Sequence, residues 1–425
     1  MSDTSGLPLV ENLHEWLYEP GFPVVTVKMD GKQLTFSQKR FLSSVIDDEI
    51  TPTGNWWLNI KYVTAEGSEQ EFSFQDESKT QTLSSSTSYI KANVGQNGYY
   101  RVNYPTSMWL ELRENVAGFA VADRAGLVND VLVLARSGLV DTSTALEFTS
   151  FLSEEEDYTV WISALSQLGY IGTMLSTEAD YGLYQQFIQG LIEDVVEYVG
   201  WDTLADHSLG TVDHNKALLR ATVLNFAVAY ELPFVVEQAL DIWENYKNGT
   251  DIAPDDRQAV YCAALHYGGA DDYQFLFEHY LATDNAAEQK RVLYTLGCTR
   301  EFYLLKATLD MSLDSDIVRP QDQRTAIAGV SANPLGRDLA WNFVQANFET
   351  FNTLGFSLSS LISIVTSPFN DEYHLHEVET FFEIQDTVGA SMAVEQSKET
   401  IAANIQWLQA NGPDVSQWLH SHYAK

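Results

Sequence analysis

The sequence predicts a mainly α-helical protein that begins with an all-β domain. Short runs of β-branched and aromatic residues, alternating with period two, fill the first quarter of the chain. From Pro105 onward the apolar period is helical, and about fifteen helical segments are joined by short loops. We therefore expect a small β-sandwich followed by a curved α-solenoid of HEAT/armadillo-like helix pairs.

The β-domain is expected over residues 19–104. Val24–Met29 is a β-branched run, Asp30-Gly31 is a turn signal, and Leu34–Gln38 resumes the alternation, which together predict a hairpin. Further strands are expected at 56–63, 70–74, 89–94 and 99–104, with a loop rich in serine and threonine at 84–88. Short antiparallel strands at this spacing are typical of a sandwich.

The α-solenoid is expected over residues 105–425. The first clear helix has apolar residues at Ala125, Val128, Val131, Leu132 and Ala135, and Gly138 ends it. Further helices are expected around 144–152, 158–170, 179–199, 214–230, 233–246, 255–267, 272–281, 285–297, 300–311, 321–331, 336–350, 357–368, 373–385, 390–410 and 413–423. No fixed-period repeat is visible, so the solenoid expectation depends on helix number and loop length.

The composition is that of an ordinary globular protein with a strongly acidic balance. The chain has 425 residues, 45% hydrophobic residues and a formal net charge of −35. This charge excludes a nucleic-acid binder held by phosphate contacts and argues against docking on an anionic membrane. The simplest interpretation is a heavily solvated acidic surface, which also attracts cationic ligands.

Targeting signals and cysteines are weak evidence about the cellular compartment in which the protein is located. The first six residues lack the basic and apolar regions of a signal peptide, and no apolar run is long enough for a membrane span. The most apolar stretch, Ala217–Val236, carries Arg220 and Glu231 and indicates a buried helix pair. Cys262 and Cys298 are either two buried thiols or one disulfide. Asn248 begins the one N-glycosylation sequon.

A search for catalytic motifs finds none that is complete. A zinc-protease helix needs H-E-x-x-H, but Tyr18 follows His14-Glu15 and Thr380 follows His376-Glu377 at the last position. His374 and His376 would point to different helix faces. The acidic run 154–157 is most simply a solvated helix end, and His420 and His422 belong to a solvated face. No catalytic, cofactor-binding or metal-ligating residue is therefore predicted in this chain.

Eight local strings in order resemble the C-terminal half of the M1 zinc aminopeptidases, from about residue 11 to residue 420. They are Trp16 with Gly21–Val27; Gln38–Phe41; Asn97–Tyr104; Asp123-Arg124-Ala125 with Asp130 and Leu134–Gly138; Glu155 with Asp157-Tyr158 and Trp161; Leu218–Arg220; Gln321-Asp322; and Gly336 with Ala340-Trp341. One string alone would be weak, whereas eight in the family's order are specific.

The resemblance implies a β-sandwich at about 19–104, a solenoid at 105–425, and a residual linker of the catalytic domain at 1–18. The family's G-A-M-E-N and H-E-x-x-H motifs, with the zinc, would lie upstream of Trp16. This chain alone is then no enzyme and holds no cofactor. Its expected partners are the N-terminal and catalytic domains of the parent enzyme, peptide substrates and a second copy in a homodimer; nucleic acid and membrane are not expected partners.

The family resemblance also bears on the cysteines and the compartment. Cys262 and Cys298 are 36 residues apart. Secreted family members have two cysteines at a similar separation, joined in a disulfide, so the resemblance implies a disulfide here. A second family pair is replaced here by Val228 and Val235. The resemblance implies an extracellular or secretory-lumen ectodomain, in which Asn248 would be glycosylated.

Two function classes follow from the sequence. The first is the non-catalytic C-terminal region of a zinc aminopeptidase, which closes and gates a peptide chamber. The alternative is a stand-alone solenoid that binds peptides or proteins without enzyme activity. In either case the acidic charge is expected to favour basic peptides, weakly and in a salt-dependent way.

Overall fold

The structure, a computed structural model, describes residues 8–43, 54–202, 213–353, 357–387 and 389–424. After two short helices, seven strands and then the remaining helices follow, which confirms the mainly α class with an N-terminal all-β region. The described chain divides into two compact units, one up to Ile171 together with Ala410–His422 and one over Gly172–Gln409 with Tyr423. The bounds 1–18, 19–104 and 105–425 stay a prediction, because the first unit contains helices as well as the strands.

The seven strands of the first unit form two sheets. One sheet has the order β5-β2-β1-β7, in which β1 pairs with β2 antiparallel and with β7 parallel. The other has the order β4-β3-β6 and is antiparallel. The bounds are β1 Pro23–Asp30, β2 Gln33–Arg40, β3 Leu58–Thr64, β4 Glu69–Phe74, β5 Ser78–Thr82, β6 Ile90–Ala92 and β7 Arg101–Asn103.

The two sheets bury their apolar faces against each other. The ring of Phe36 on β2 lies 5.6 Å from that of Tyr62 on β3 and 5.1 Å from that of Phe72 on β4. Gly31, with φ +57°, makes the turn between β1 and β2, as the Asp30-Gly31 signal predicts. This packing is a β-sandwich.

Strand β5 is absent from the sequence prediction. Its residues, Ser78–Thr82, are all polar, and four of the five are exposed. It pairs with β2 at the sheet edge, where both faces of the strand meet water. Without a buried face there is no apolar alternation to detect.

Nineteen helices are present in the described residues. They are α1 Leu9–Asn12, α2 His14–Tyr18, α3 Thr106–Glu114, α4 Val121–Arg136, α5 Thr142–Phe148, α6 Tyr158–Leu175, α7 Tyr181–Val199, α8 His214–Ala229, α9 Pro233–Lys247, α10 Arg257–Tyr267, α11 Ala270–Ala282, α12 Ala286–Thr295, α13 Phe302–Ser312, α14 Gln323–Ala332, α15 Arg337–Ala346, α16 Phe348–Thr353, α17 Leu358–Thr366, α18 Glu372–Glu383 and α19 Ser391–Tyr423. Most match predicted segments within a few residues, whereas α1, α2 and α3 were not predicted.

The predicted break between 410 and 413 is wrong, because α19 continues through Pro413. Contacts on both sides hold the helix there. The Thr142 hydroxyl lies 3.0 Å from Asn411 Oδ1, and the Ser143 amide donates to Asp414 Oδ2 at 2.8 Å. Tertiary contacts of this kind offset the local cost of an interior proline.

The second unit has an aromatic-rich core. The ring of Trp341 on α15, 1% exposed, lies 5.4 Å from that of Phe381 and 6.3 Å from that of Phe369. Helices α8 and α9 contain many buried apolar residues, as the apolar stretch Ala217–Val236 predicts. Within the described ranges, no single helix has the length and apolarity of a membrane span, while α8 and α9, bent by 106°, meet that test only as a pair.

Candidate functional site

Two acids of α4 that belong to the family-like strings, Asp123 and Asp130, have structural partners. Lys91 on β6 forms a buried ion pair with Asp123. Arg101 donates to Asp130 Oδ1 at 2.8 Å, and the Val102 amide donates to Asp130 Oδ2 at 3.0 Å. Burial raises the pKa of Asp130 to about 6. These contacts join the sheets to the first long helix, which explains the carboxylates without a catalytic role.

The acidic run at 154–157 differs from the sequence expectation at one position. Glu155 is only 6% exposed, and it accepts hydrogen bonds from Arg124 at 2.6 and 2.9 Å. The Trp161 indole donates to the Glu155 carbonyl at 2.7 Å. The interpretation as a solvated helix end is therefore wrong for Glu155, because a distant arginine from α4 supplies its partner.

Two other histidines considered as metal ligands, His374 and His422, have structural surroundings. His374 stacks on Phe369, with ring centroids 4.0 Å apart, and its two nitrogens lie 2.6 Å from Asp371 Oδ2 and 3.1 Å from Asp338 Oδ1. The ring of His422 stacks on Trp418 at 4.4 Å. In the part of the chain that the structure describes, no three His, Cys, Asp or Glu side chains are grouped to hold a metal ion.

The candidate site is a cavity of about 390 Å³ inside the second unit. Its wall comes from the C-terminal end of α6, from α7, α8, α10, α12 and α14, and from the first residue of α15. This volume lies within the usual range of small-molecule and peptide side-chain pockets. The polar groups in its wall include Ser176, Tyr181, Tyr230, His266 and Arg337.

Three glycines, Gly172, Gly297 and Gly329, allow the elements of the cavity wall to approach each other closely. A Cβ on Gly172 would lie 1.9 Å from the Tyr230 hydroxyl oxygen. A Cβ on Gly297 would lie 2.1 Å from the Gly329 carbonyl carbon, so the two backbones touch directly. Any larger residue at these positions would push a wall element out of place.

Arg337 is the cation of the cavity wall. Its Nη1 donates to the Ser176 hydroxyl at 2.7 Å, while its Nε is buried without a hydrogen-bond partner among the described atoms. No ion pair joins its guanidinium to a described carboxylate, although acids far outnumber bases in the chain. Burial lowers the pKa of Arg337, while nearby Tyr181 and Asp338 act to raise it.

His266 on α10 supplies a second titratable group. Its Nε2 lies 3.5 Å from Glu231 Oε1. Burial lowers the pKa of His266, Glu231 raises it, and Arg300 lowers it. Glu231 has φ +58° in the turn after α8, and Gln189 Nε2 donates to its carbonyl oxygen at 3.2 Å. The turn therefore aims a carboxylate at the histidine.

Cys262 on α10 and Cys298, in a 3₁₀ turn over Leu296–Cys298, are joined in a disulfide that lines the same cavity. Their Cα atoms are 5.2 Å apart. Asn333 Nδ2 donates to the carbonyls of Gly297 and Thr299, each at 2.8 Å, and so fixes the 3₁₀ turn from the other side.

The sequon asparagine lies away from this cavity wall. Asn248 is exposed directly after α9, and its Nδ2 donates to the Glu244 carbonyl at 2.9 Å. Gly249 follows with φ +97°. An exposed asparagine in a turn is accessible in the way that a glycosylation acceptor requires.

The sequence of this chain is similar to one family profile and to several known proteins. The family profile described as "ERAP1-like C-terminal domain" matches residues 89–403. The chain is 30% identical over 443 residues to aminopeptidase A of Gloydius brevicauda, covering 99% of this chain and 45% of that protein. It is also 30% identical over 438 residues to human glutamyl aminopeptidase, covering 99% of this chain and 45% of the relative. The chain thus spans less than half the length of these curated relatives.

Proposed function

Because this chain belongs to the family of ERAP1-like C-terminal domains, the C-terminal half of M1-family aminopeptidases, we propose that it is the non-catalytic region of a peptide-trimming zinc enzyme. In this proposal the zinc and the reacting groups belong to other domains of the enzyme. The chain closes and gates the chamber that holds the peptide, and its cavity contacts the peptide away from the reacting end.

The observation that carries the proposal is Arg337 in the cavity wall. Arg337 is half-buried and its Nε is buried without a described hydrogen-bond partner, so a ligand that supplies a negative charge there would offset the cost of desolvation. A planar carboxylate suits it, since the two groups form parallel charge-assisted hydrogen bonds. Peptides offer such a group at their C-terminus or on an acidic side chain, and Tyr181 and Tyr230 add apolar surface beside it.

This local cation is compatible with the acidic surface. The net charge of −35 favours a peptide with basic side chains, whereas Arg337 favours a carboxylate at one point. A basic peptide with a free C-terminal carboxylate satisfies both. The peptide's N-terminal amine would be held by the catalytic domain, so the chain by itself is expected to bind only in the high-micromolar range.

A titration of the isolated chain tests this proposal. The ligands are two labelled basic peptides of one sequence, one with a free C-terminal carboxylate and one amidated. We expect the amidated peptide to bind about tenfold or more weakly, because a charge-assisted hydrogen bond contributes roughly 1.5–3 kcal/mol. Arg337→Gln should reduce the affinity for the free acid to that of the amide, and Arg337→Lys should retain part of the difference.

Equal affinities for acid and amide, or no effect of Arg337→Gln, would rule out a carboxylate subsite. An acidic peptide of the same length, measured at low and physiological salt, tests the surface field separately. Basic peptides should lose affinity as salt increases, because the Debye length falls to about 8 Å.

The stand-alone interaction module is the alternative. It is favoured by tight, salt-independent binding of one defined partner to the isolated chain. The aminopeptidase proposal instead expects the native transcript to encode G-A-M-E-N and H-E-x-x-H upstream of Trp16. Sequencing that transcript distinguishes the two, and light scattering of the purified protein tests the proposed homodimer.

We also propose an extracellular or secretory-lumen location. The disulfide between Cys262 and Cys298 and the exposed sequon at Asn248 both suit an oxidising, glycosylating compartment. Immunolabelling of intact against permeabilised cells would test this location.

A further inference from the structure

The disulfide has an unusual position for a purely structural bond. Cys262 and Cys298 are both partly exposed and line the cavity. Ala263 and Ala264, which follow Cys262 on α10, are only 0% and 1% exposed. The two cysteines therefore border the space that a ligand would enter. A thiolate needs such access, because exchange proceeds by direct attack on a disulfide sulfur.

The surrounding fold holds the two cysteines together without the sulfur–sulfur bond. Gly297 and Gly329 touch through their backbones, and Asn333 binds the carbonyls on either side of Cys298. These contacts are independent of the sulfur oxidation state. A reduced protein should therefore keep the cavity and return to the oxidised form.

The charges around the sulfurs favour an anionic reactant. Arg300 lies two residues after Cys298, and its charge acts on His266, which lies one turn after Cys262 on α10 and whose pKa is lowered by burial, so that the imidazole is neutral. Arg337 lines the same cavity without a described carboxylate partner. Positive groups of this kind attract an anionic thiol and stabilise a departing thiolate. Glu231 opposes them at His266 but forms no ion pair with Arg337.

We propose that the Cys262–Cys298 disulfide is a reversible exchange site for small anionic thiols of the γ-glutamyl peptide class, which enter through the cavity. The proposal rests on the proposed function, because the same cavity must admit an anionic, peptide-like molecule.

The exchange is balanced in two steps. An incoming thiolate bonds to one cysteine sulfur, the disulfide bond breaks, and its electron pair leaves on the other cysteine as a thiolate. A second thiolate then attacks the mixed disulfide and releases the symmetrical disulfide of the small thiol. The protein is reduced to a dithiol, and the small thiol is oxidised. The reverse sequence, with that symmetrical disulfide as oxidant, restores the bond.

The test measures how fast native protein loses the disulfide, by acid quench, alkylation and intact mass. Glutathione, which carries carboxylates, is compared with its diethyl ester and with cysteamine. Each rate is divided by the rate of the same thiol with a small model disulfide, since thiol pKa alone changes reactivity. We expect glutathione to react about three- to tenfold faster than its ester on this scale.

Substitutions test whether Arg337 in the cavity wall causes the preference for the anionic thiol. Arg337→Gln should lower the glutathione rate more than the rate of its ester, so that the preference is lost, while Arg337→Lys should retain part of it. The double variant Cys262→Ser/Cys298→Ser gives the alkylation background. Near-ultraviolet circular dichroism checks that each variant is folded, and the comparison of glutathione with its ester on the wild-type protein needs no variant at all.

Three results would overturn the proposal: equal normalised rates for glutathione and its ester, an Arg337→Gln effect of equal size on both thiols, or a reduction rate independent of thiol concentration. The last result would mean that the bond reacts only after the protein unfolds. The peptide titration is a separate readout. Loss of the acid–amide difference with an intact glutathione preference would reject the peptide subsite alone, and the converse would reject the exchange site alone.

Discussion

Substitution of Gly297 by alanine perturbs the contact that shapes the cavity wall. The added Cβ would lie 2.1 Å from the Gly329 carbonyl carbon, 2.3 Å from its oxygen and 2.5 Å from the Val330 nitrogen. All three atoms are backbone atoms of α14, so no side-chain rotation can relieve the clash. The 3₁₀ turn at Leu296–Cys298 must move away from α14 or the helix must bend.

The expected cost lies at the upper end for overpacking, which is about 3 kcal/mol. The second unit spans residues 172–409, and for a domain of this size 1 kcal/mol corresponds to roughly 2–4 °C in Tm. Gly297→Ala should therefore lower the Tm by roughly 6–12 °C. The matched control is Gly190→Ala, in the middle of α7, where a Cβ meets nothing within 4 Å. It should gain roughly 0.5–1 kcal/mol from helix propensity.

Differential scanning calorimetry and urea unfolding of both variants measure these changes. The glutathione-exchange rate of Gly297→Ala is a second readout, because the substitution displaces the turn that carries Cys298. If Gly297→Ala unfolds within about 2 °C of the wild type while Gly190→Ala shows its small gain, the direct backbone contact between the 3₁₀ turn and α14 does not exist in solution.

Three further predictions concern ionisation, activity and modification. Burial raises the pKa of Asp256 to about 6, above the unfolded value of about 3.9, so this carboxyl favours the fold at low pH and its contribution is lost as the pH rises through 6. The free energy of unfolding should fall by about 1 kcal/mol between pH 5 and 7 on its account, and Asp256→Asn should reduce the measured difference by that amount in urea titrations at the two pH values. The isolated chain should neither hydrolyse aminoacyl anilides nor bind stoichiometric zinc, and chelator-sensitive hydrolysis that survives repurification would contradict this. Protein secreted from eukaryotic cells should carry a glycan on Asn248, seen as a mass loss on endoglycosidase treatment that is absent in Asn248→Gln.

The sequence by itself determined the parts of the fold that local chemistry controls. A β-branched run located β1, period-two alternation located β2 because one face of that strand is buried, and Asp30-Gly31 located their turn. Helical periodicity and Gly138 bounded α4. The ordered motif strings identified the family before any coordinates, because they include residues such as Asp123 and Asp130 that are needed to join sheet and helix.

Other features depended on contacts between residues far apart in sequence. Strand β5 has no apolar pattern, since only pairing with β2 makes it a strand, and α19 continues through Pro413 because contacts from α5 hold it. Glu155 is buried because Arg124 reaches it from 31 residues away.

The candidate site is the clearest case of such dependence. Nothing in the string Gly336-Arg337-Asp338 distinguishes Arg337 from a solvated helix-start arginine. Its burial beside Ser176, 161 residues earlier, is fixed only when α6 and α15 pack around the cavity. Partial desolvation and the lack of an ion pair between its guanidinium and a described carboxylate are properties of that packing, so only the tertiary structure could turn an ordinary arginine into a candidate anion-binding group.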